Sequence, residues 1–316
     1  MKVLMLSEAE VTQLLDLDRL LDALEEGFRA LSSGKVVVPG RIAVNVDPAG
    51  WLGTMPGFGE GLGLGVKLVS VYPHNEAAGL PSHQALIALF DPANGSPVAV
   101  MDGTRITAIR TAGAAAVSTR HLARKDARAL AIIGAGVQGH AHLEIFPRVR
   151  DFDEIRVASR SLDSARKLAA LHPQARAVDG FEEAVRGADV IAMCTHSSTP
   201  VILRAWVTPG AHVTSVGYAA PHGELDRDLA EAANLFVESR SAAFSPPPAG
   251  CMELAGMDPE KATEMGEVLL GTRPGRRSDE EITVYKSMGH AIEDLAAASL
   301  VYREARTKDK GSTVEL

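Results

Sequence analysis

A glycine-rich turn between an apolar strand and a helix constrains the fold of this chain more than any other segment. The turn reads Gly134-Ala135-Gly136-Val137-Gln138-Gly139 and follows the apolar run Ala129–Ile133. In a G-x-G-x-x-G turn the first glycine permits a tight turn, the second lets the backbone approach a pyrophosphate, and the third allows close helix–strand packing. The helix then directs its N-terminus at the phosphates. The turn therefore predicts a dinucleotide-binding domain that starts near Arg128, with Gly134, Gly136, Val137, Gln138 and Gly139 at the cofactor.

The segments after this turn continue the alternation of strands and helices. Strand-like runs occur at residues 155–159, 175–178, 190–194 and 212–216, with helical or turn segments such as 162–171 between them. Strands that alternate with helices in this way form a parallel, doubly wound sheet with right-handed crossovers. We therefore expect an α/β fold of the Rossmann type.

The two ends of the chain have a different pattern. Ser7 and Glu10 fit a capping box for a helix that continues to Gly34, and residues 36–100 read as a small mixed β-sheet. A helix of small residues follows at 105–122, and the last amphipathic helix, from about 289 to 306, has no sheet strand after it. We therefore place the last helix against the N-terminal domain. The expected boundaries are residues 1–125 plus 290–316 for a smaller α+β domain, and 126–289 for the Rossmann-type domain inserted into it.

Composition and charge exclude several classes of function. The net charge of −8, without a long run of Lys or Arg, opposes nucleic-acid binding. No uncharged apolar stretch reaches the length of about 18 residues that a membrane span needs. The two cysteines, Cys194 and Cys251, lack metal-ligand spacing and indicate free thiols in a reducing cytoplasm. The ten histidines form no recognisable metal motif. We therefore expect a cytoplasmic protein without metal that acts on a small molecule.

Three hydroxyl or cationic residues follow the second strand of the expected Rossmann sheet. Enzymes that prefer NAD usually carry an acid there for the ribose 2′-hydroxyl, whereas this chain has Ser159, Arg160 and Ser161. A hydroxyl and a cation suit a 2′-phosphate, so NADP(H) is predicted in preference to NAD(H). Alternatively, Arg160 stacks on the adenine or lies in solvent. Thr195 and Ser197, after the fourth strand, are placed at the cofactor, although they would equally serve as helix caps.

Three cations outside the nucleotide domain lie in apolar or small-residue surroundings. Lys67 occurs in Leu64-Gly65-Val66-Lys67-Leu68-Val69, where desolvation would lower its pKa and make it a general acid or base. The alternative is an edge lysine whose ammonium reaches solvent. Arg110 lies within a helix of small residues and needs an anionic partner, which is either a substrate or an internal carboxylate. Together with Arg41, Arg110 would hold a substrate carboxylate.

These residues belong to segments that resemble the ornithine cyclodeaminase/mu-crystallin family over nearly the whole chain. The matching segments are Gly65-Val66-Lys67-Leu68-Val69, Gly79-Leu80-Pro81-Ser82-His83-Gln84-Ala85, Ile106-Thr107-Ala108-Ile109-Arg110-Thr111-Ala112, Glu224-Leu225-Asp226 and Ile282-Thr283-Val284-Tyr285-Lys286-Ser287-Met288-Gly289. The family includes ornithine cyclodeaminase, an alanine dehydrogenase, ketimine reductases such as mu-crystallin, and Δ1-pyrroline-2-carboxylate reductases.

The resemblance implies a role for each matching residue. Arg41 and Arg110 match the arginines that hold the substrate carboxylate, Lys67 matches the lysine at the reacting carbon, and Ser82 falls where the family has a hydroxyl near the substrate. Further residues are expected at the cofactor, namely Thr111, Val216, Gly217, Ser287 and Gly289. Family members are typically homodimers that pair through the substrate domain, which makes the smaller α+β domain the expected substrate-binding and dimerisation domain.

One departure from the family pattern affects the expected reaction. The cyclodeaminase and alanine dehydrogenase branches have an Asp shortly after the Val-Gly that ends the fifth strand, whereas this chain has Tyr218 there and no acid before Glu224. The leading prediction is therefore NAD(P)H-dependent reduction of the C=N bond of a small cyclic imino acid such as Δ1-pyrroline-2-carboxylate. Tyr218 would donate a hydrogen bond to the substrate, or would only pack. Ornithine cyclodeamination, alanine-type dehydrogenation and non-catalytic ligand binding remain alternatives.

Overall fold

The computed structural model describes residues 1–315, which form two compact units. One unit consists of Met1–Arg110 together with the chain from His290 onward, and the other is Thr111–Gly289. The division falls inside one helix, Thr104–Leu122, whereas the sequence placed it at residues 125 and 126. The α/β class with a doubly wound parallel sheet is confirmed.

The element bounds follow in chain order. The helices are α1 (Glu8–Leu14), α2 (Leu17–Ser32), α3 (Thr104–Leu122), α4 (Val137–Ile145), α5 (Leu162–Ala169), α6 (Phe181–Val185), α7 (Arg227–Ala232), α8 (Arg240–Ala243), α9 (Met265–Leu270) and α10 (Ala291–Lys308). The strands are β1 (Lys2–Leu6), β2 (Val36–Val37), β3 (Ile42–Val46), β4 (Gly50–Gly59), β5 (Gly63–Val71), β6 (His83–Phe90), β7 (Pro97–Asp102), β8 (Ala129–Ile133), β9 (Glu154–Ala158), β10 (Ala175–Ala177), β11 (Val190–Met193), β12 (His212–Ser215), β13 (Asn234–Val237), β14 (Thr263–Glu264), β15 (Thr283–Lys286) and β16 (Ser312–Glu315).

The second unit contains an eight-stranded sheet in the order β10-β9-β8-β11-β12-β15-β13-β14. Every pair in it is parallel. The central strands β11 and β12 are buried at every position, as expected for a parallel sheet covered on both faces. Its first five strands in space reproduce the 3-2-1-4-5 part of the order of dinucleotide-binding folds, and the sixth position is taken by β15, the last strand of this sheet in the chain. The sequence predicted β8 to β12 to within one residue at each end, but it did not predict β13, β14 or β15.

The first unit contains a mixed sheet in the order β16-β1-β7-β6-β5-β4-β2, with β3 paired to β4. The pair β1 and β7 is parallel, and its other pairs are antiparallel. Helix α10 lies against β4, β5 and α2. This agrees with the predicted placement of the last helix against the N-terminal part of the chain. The sheet contains eight strands and is therefore larger than the small sheet that the sequence indicated.

Two local predictions in this unit were wrong. A strand does follow the last helix, because β16 pairs antiparallel with the edge strand β1. The turn into it passes through Gly311, whose φ of +94° favours glycine. The helix expected from Ser7 to Gly34 is two helices, since the chain turns at Leu15 and Asp16 caps α2 by accepting from the backbone of Asp18 and Arg19. The capping box of Ser7 and Glu10 is confirmed for α1.

Within residues 1–315, no helix combines the length and the apolar character that crossing a membrane requires.

Candidate active site

The strand register of the first unit places Lys67 in the middle of its sheet. Lys67 lies opposite Met55 of β4 and Ile87 of β6, and all three side chains are buried. Successive side chains of a strand point to opposite faces, so these three share the face on which α10 packs. Lys67 is 2% exposed in a strand flanked on both sides. It is therefore a desolvated lysine and not an edge lysine that reaches solvent.

Two acidic residues in the first turn of α10 bind the two central cations. Lys67 Nζ lies 2.9 Å from Oδ1 and 2.8 Å from Oδ2 of Asp294. Arg110 donates from Nε to Asp294 Oδ1 at 2.9 Å and from Nη1 to Glu293 Oε2 at 2.7 Å. The internal ion pair that the sequence left open for Arg110 is therefore present. Nε and Nη1 carry these contacts, which leaves Nη2 of the guanidinium for a further acceptor.

Burial and neighbouring cations perturb the titration of this cluster. Desolvation lowers the pKa of Lys67 to about 7, and the charges of Arg110 and Arg41 act in the same direction, while Asp294 opposes them. Burial works against ionisation of Asp294, but Arg110 and Lys67 outweigh it and lower the pKa of that carboxyl. An amine that titrates near neutrality is suited to acid–base chemistry.

Charged side chains of both signs make up this cluster. Arg41, Lys67 and Arg110 supply three cations, and Glu293 and Asp294 supply two carboxylates. Arg41 directly precedes β3 and is two residues before Ala43, so the two positions share a face. Ala43 pairs with Gly53 of β4, which lies on the same face of the sheet as Lys67. Nη2 of Arg110, which makes neither of the contacts with Glu293 and Asp294, suits a carboxylate oxygen of a small ligand.

Ser82 lies directly before β6, where its carbonyl accepts a hydrogen bond from the backbone N–H of Tyr72 at 2.8 Å. The structure therefore places it at the start of the strand next to β5. The role of its hydroxyl at a substrate stays a prediction.

The glycine turn of the second unit meets the steric requirements of a dinucleotide site. Gly134 has a φ of +114°, and a Cβ there would come within 2.8 Å of the Cys194 carbonyl oxygen. A Cβ on Gly139 would come within 2.2 Å of the Gly134 oxygen, which shows how closely α4 packs on the turn. A Cβ on Gly136 would meet no heavy atom of the described chain within 4 Å beyond its chain neighbours.

The N-terminus of α4 also fits a phosphate. Its N-cap is Gly136, which has no side chain to accept from the first backbone N–H groups. Those donors are therefore open to an anionic group, as in dinucleotide-binding folds. The neighbouring Val137 is 70% exposed, and the side-chain oxygen of Gln138 is buried without a hydrogen-bond partner in the described chain. The open backbone donors at this N-terminus fit a bound pyrophosphate.

The comparisons with known proteins agree with this geometry. The model of the ornithine cyclodeaminase/mu-crystallin family matches residues 1–309. The chain belongs to this family. The ketimine reductase mu-crystallin of Mus musculus is 42% identical over 286 residues, which cover 89% of this chain and 90% of that protein.

Two solved structures resemble the chain over its full length. The Δ1-pyrroline-2-carboxylate reductase of Thermococcus litoralis, in complex with NADH and L-proline, has a TM-score of 0.93 at 34% identity and covers 99% of this chain and 100% of that one. An archaeal alanine dehydrogenase dimer with bound NAD has the same TM-score and identity, with 100% of both chains covered. The predictions of the family and of an NAD(P)-dependent enzyme are confirmed.

The other residues that were predicted to bind the cofactor lie at strand ends or in helix α3. Ser159 and Arg160 follow β9, and Ser161 caps α5 by accepting from Ser164 N at 3.2 Å. Ser197 forms a local turn, in which its hydroxyl donates to the Thr199 carbonyl at 2.6 Å and accepts from the Thr199 N–H. The remaining positions are Thr111, which is buried in α3, Val216, which follows β12, and Ser287 and Gly289, which follow β15.

Tyr218 packs against the hydrophobic core of the second unit. This is the packing role that the sequence left open. A hydrogen bond from Tyr218 to substrate stays a prediction.

Three charged residues of the second unit were missed as site candidates. Glu224, Glu253 and Lys286 are buried together at the carboxyl edge of the parallel sheet. A lysine inside the apolar segment Thr283-Val284-Tyr285-Lys286 is the same signal that identified Lys67, and it was available in the sequence.

Proposed function

We propose that the protein reduces the C=N bond of a small imino acid with NAD(P)H, and that cyclic imino acids such as Δ1-pyrroline-2-carboxylate are its substrates. The observation that carries this proposal is the buried pair of Lys67 and Arg110, both held by Asp294, in which Nη2 of Arg110 is left for a carboxylate and the Lys67 amine titrates near pH 7. The same chain carries a dinucleotide turn. The mouse relative is a ketimine reductase, and the Thermococcus litoralis neighbour is a Δ1-pyrroline-2-carboxylate reductase.

In the proposed mechanism, Arg41 and the free Nη2 of Arg110 bind the substrate carboxylate. Arg110 is fixed by Glu293 and Asp294, so its guanidinium is oriented before the substrate arrives. Lys67, held by Asp294, keeps the imine nitrogen protonated. The reduced nicotinamide supplies a hydride when it is bound. Addition of a hydride to the α-carbon would turn the C=N π electrons into the nitrogen lone pair and give an amino acid, with Arg41 and Arg110 holding the carboxylate and Lys67 holding the proton at the nitrogen.

Alanine-type dehydrogenation is the second candidate, because the archaeal neighbour is an alanine dehydrogenase and matches the whole chain. Ornithine cyclodeamination and non-catalytic ligand binding are less well supported. The chain has Tyr218 at the expected Asp position, and it keeps Lys67, both arginines and the glycine turn. A panel assay distinguishes these reactions. Nicotinamide absorbance is followed with cyclic imino acids, with pyruvate plus ammonia, and with amino acids and the oxidised cofactor, and ammonia release is measured with ornithine, because cyclodeamination causes no net change in the cofactor. Turnover only with ornithine, or none at all, would reject the proposed reaction.

We propose NADP(H) as the preferred cofactor, because Ser159 and Arg160 follow β9 where an NAD enzyme usually carries an acid. Arg160 is exposed, so its guanidinium is accessible to a 2′-phosphate. The two solved neighbours contain NADH and NAD, so direct titration with both reduced cofactors is the decisive measurement.

We also propose that the chain forms a homodimer through the outer face of the first unit's sheet. Ile42, Leu68 and Leu86 lie in one register row on that face and are 63%, 37% and 46% exposed. The next row adds Val44 and Leu52, at 65% and 48%. An apolar patch of this kind indicates an interaction site, and the archaeal neighbour is a dimer.

The test of the dimer is the mass in solution of Leu68→Asp, compared with Leu171→Asp as a control. Leu171 is 65% exposed in the second unit. We expect the first variant to be monomeric and the second to stay dimeric. A monomeric wild-type protein, or dimers of both variants, would reject this interface.

A further inference from the structure

A cluster of buried charges lies at the carboxyl edge of the parallel sheet in the second unit. This edge cluster consists of Glu224, Glu253 and Lys286, which are 0%, 4% and 0% exposed. Lys286 ends β15 and lies in register with Ser215, which ends β12. Its ammonium is 2.5 Å from Glu253 Oε2, and it donates to the Gly217 carbonyl at 2.7 Å and to Ser215 Oγ at 3.1 Å. All three ammonium protons are therefore used inside the protein.

Glu224 joins the ends of two neighbouring strands through four hydrogen bonds. Its Oε2 accepts from the backbone N–H of Thr195 at 2.7 Å and from the Thr195 hydroxyl at 2.6 Å. Its Oε1 accepts from the Gly217 N–H at 2.8 Å and from the Ser215 hydroxyl at 3.0 Å. Thr195 follows β11 by two residues and Gly217 follows β12 by two residues. One carboxylate therefore determines how these two strand ends lie relative to each other.

The contacts require an acceptor-only group at this position. Burial raises the pKa of Glu224, while Lys286 and the donors from Thr195 and Gly217 favour its ionised form. A backbone N–H faces each carboxylate oxygen, one from Thr195 and one from Gly217. A glutamine would therefore turn its NH₂ group towards one of these donors in either orientation of the amide. The strand ends are also tightly packed, since a Cβ on Gly217 would come within 1.8 Å of the Thr195 carbonyl oxygen.

The position of the edge cluster in the sheet indicates which half of the cofactor it serves. Dinucleotide-binding sheets consist of two mononucleotide-binding halves with the strand order 3-2-1-4-5-6. The glycine turn and Arg160 belong to the half made of β8, β9 and β10. The edge cluster belongs to the other half, made of β11, β12 and β15, which takes the nicotinamide nucleotide.

We propose that Glu224 is a positioning residue for the nicotinamide half of the cofactor. It holds Thr195 and Gly217 where that half binds, and the adenine half depends on the glycine turn instead. The proposal concerns cofactor binding and does not depend on which imino acid is the substrate.

The experiment compares two ligands in a Glu224→Gln variant. The first ligand is the reduced cofactor that binds the wild type more tightly, and the second is the adenine nucleotide of that cofactor alone, namely adenosine 2′,5′-bisphosphate for NADPH or AMP for NADH. We expect the Kd of the reduced cofactor to rise about 10-fold or more, because a buried hydrogen-bond network is broken. The Kd of the fragment should stay within about 2-fold, because the contacts of the adenine half are intact.

The matched control is Asp189→Ala. Asp189 directly precedes β11, at the opposite, amino edge of the same sheet, and accepts from the backbone N–H groups of Arg128 at 2.8 Å and Ala129 at 2.9 Å. This substitution removes both backbone contacts, together with the ion pair between Asp189 Oδ1 and Arg124 Nη2 at 2.6 Å, and should weaken both ligands equally or neither. If the control also raised the Kd of the reduced cofactor and left the Kd of the fragment unchanged, any damage to the sheet would produce the effect. That result would reject the proposal.

Ser215→Ala keeps the proposal testable if Glu224→Gln fails to fold. Ser215 is fully buried and donates to Glu224, so its loss removes one of the four hydrogen bonds and keeps the carboxylate. We expect a smaller change in the same direction, about 3-fold or more for the reduced cofactor and none for the fragment. Equal changes for both ligands, or no change for either, would overturn the positioning role.

Discussion

Lys67→Met tests the proposed chemistry most directly. The methionine keeps an unbranched apolar side chain and removes the ammonium that holds the proton at the substrate nitrogen. We expect the turnover number to fall by roughly 10²- to 10⁴-fold, the usual range for a lost acid–base group. Lys67 lies in the unit that does not contain the glycine turn, so the Kd of NAD(P)H should stay unchanged.

The contacts of Asp294 also limit how much Lys67→Met should lower the free energy of unfolding. Removal of one partner from a buried ion pair costs about 3–5 kcal/mol where the other charge is left uncompensated. Asp294 retains Arg110 Nε at 2.9 Å after the substitution, so its charge stays paired. We therefore expect a smaller loss, about 1–3 kcal/mol in the free energy of unfolding. A folded variant is the expected outcome.

The assay is the turnover number for the best imino acid in the panel, measured together with a thermal melt and an NAD(P)H titration. The double variant Lys67→Met/Asp294→Asn is the control, because it also removes the carboxylate that Lys67 contacts. It should not recover turnover. Near-normal turnover in folded Lys67→Met would refute the role of the lysine. Recovery of turnover in the double variant would show that the Asp294 carboxylate, once it lacks Lys67, caused the loss of turnover.

Three further predictions concern the same sites. Arg110→Lys should raise the substrate KM and leave the Kd of NAD(P)H unchanged, because a point charge cannot replace the planar guanidinium that bonds Glu293 and Asp294. An unchanged KM would make Arg110 a structural ion-pair residue only. Arg160→Ala should cost NADPH about 1.5–3 kcal/mol of binding and NADH almost nothing, and equal affinities of the wild type for the two cofactors would contradict this. The pKa of Lys67 is lowered to about 7, so its ammonium is present below that pH and lost above it. Reductive kcat/KM should therefore decline as the pH rises through about 7, whereas a profile without that decline would exclude Lys67 as the proton source.

Features that depend on local backbone geometry were predictable from the sequence. The glycine turn requires a positive φ at Gly134 and close packing at Gly139, and both requirements concern residues next to one another in the chain. The alternation of the strands β8 to β12 with helical or turn segments predicted a parallel sheet, because parallel strands need crossover connections. The isolated charge of Lys67 among apolar neighbours indicated desolvation, and the lysine is 2% exposed.

The partners of the charged residues were decided by the tertiary structure. Arg110 and Asp294 are 184 residues apart, and the sequence left open whether the arginine binds a substrate or an internal carboxylate. β16 was missed because its pairing energy comes from the edge of β1, at the other end of the chain. The edge cluster was missed for the same reason, since Lys286 meets Glu253, and Glu224 through Ser215, only where parallel strands end side by side. Local steric requirements depend on residues that are neighbours in the chain, whereas the partner of a buried charge depends on packing between distant segments.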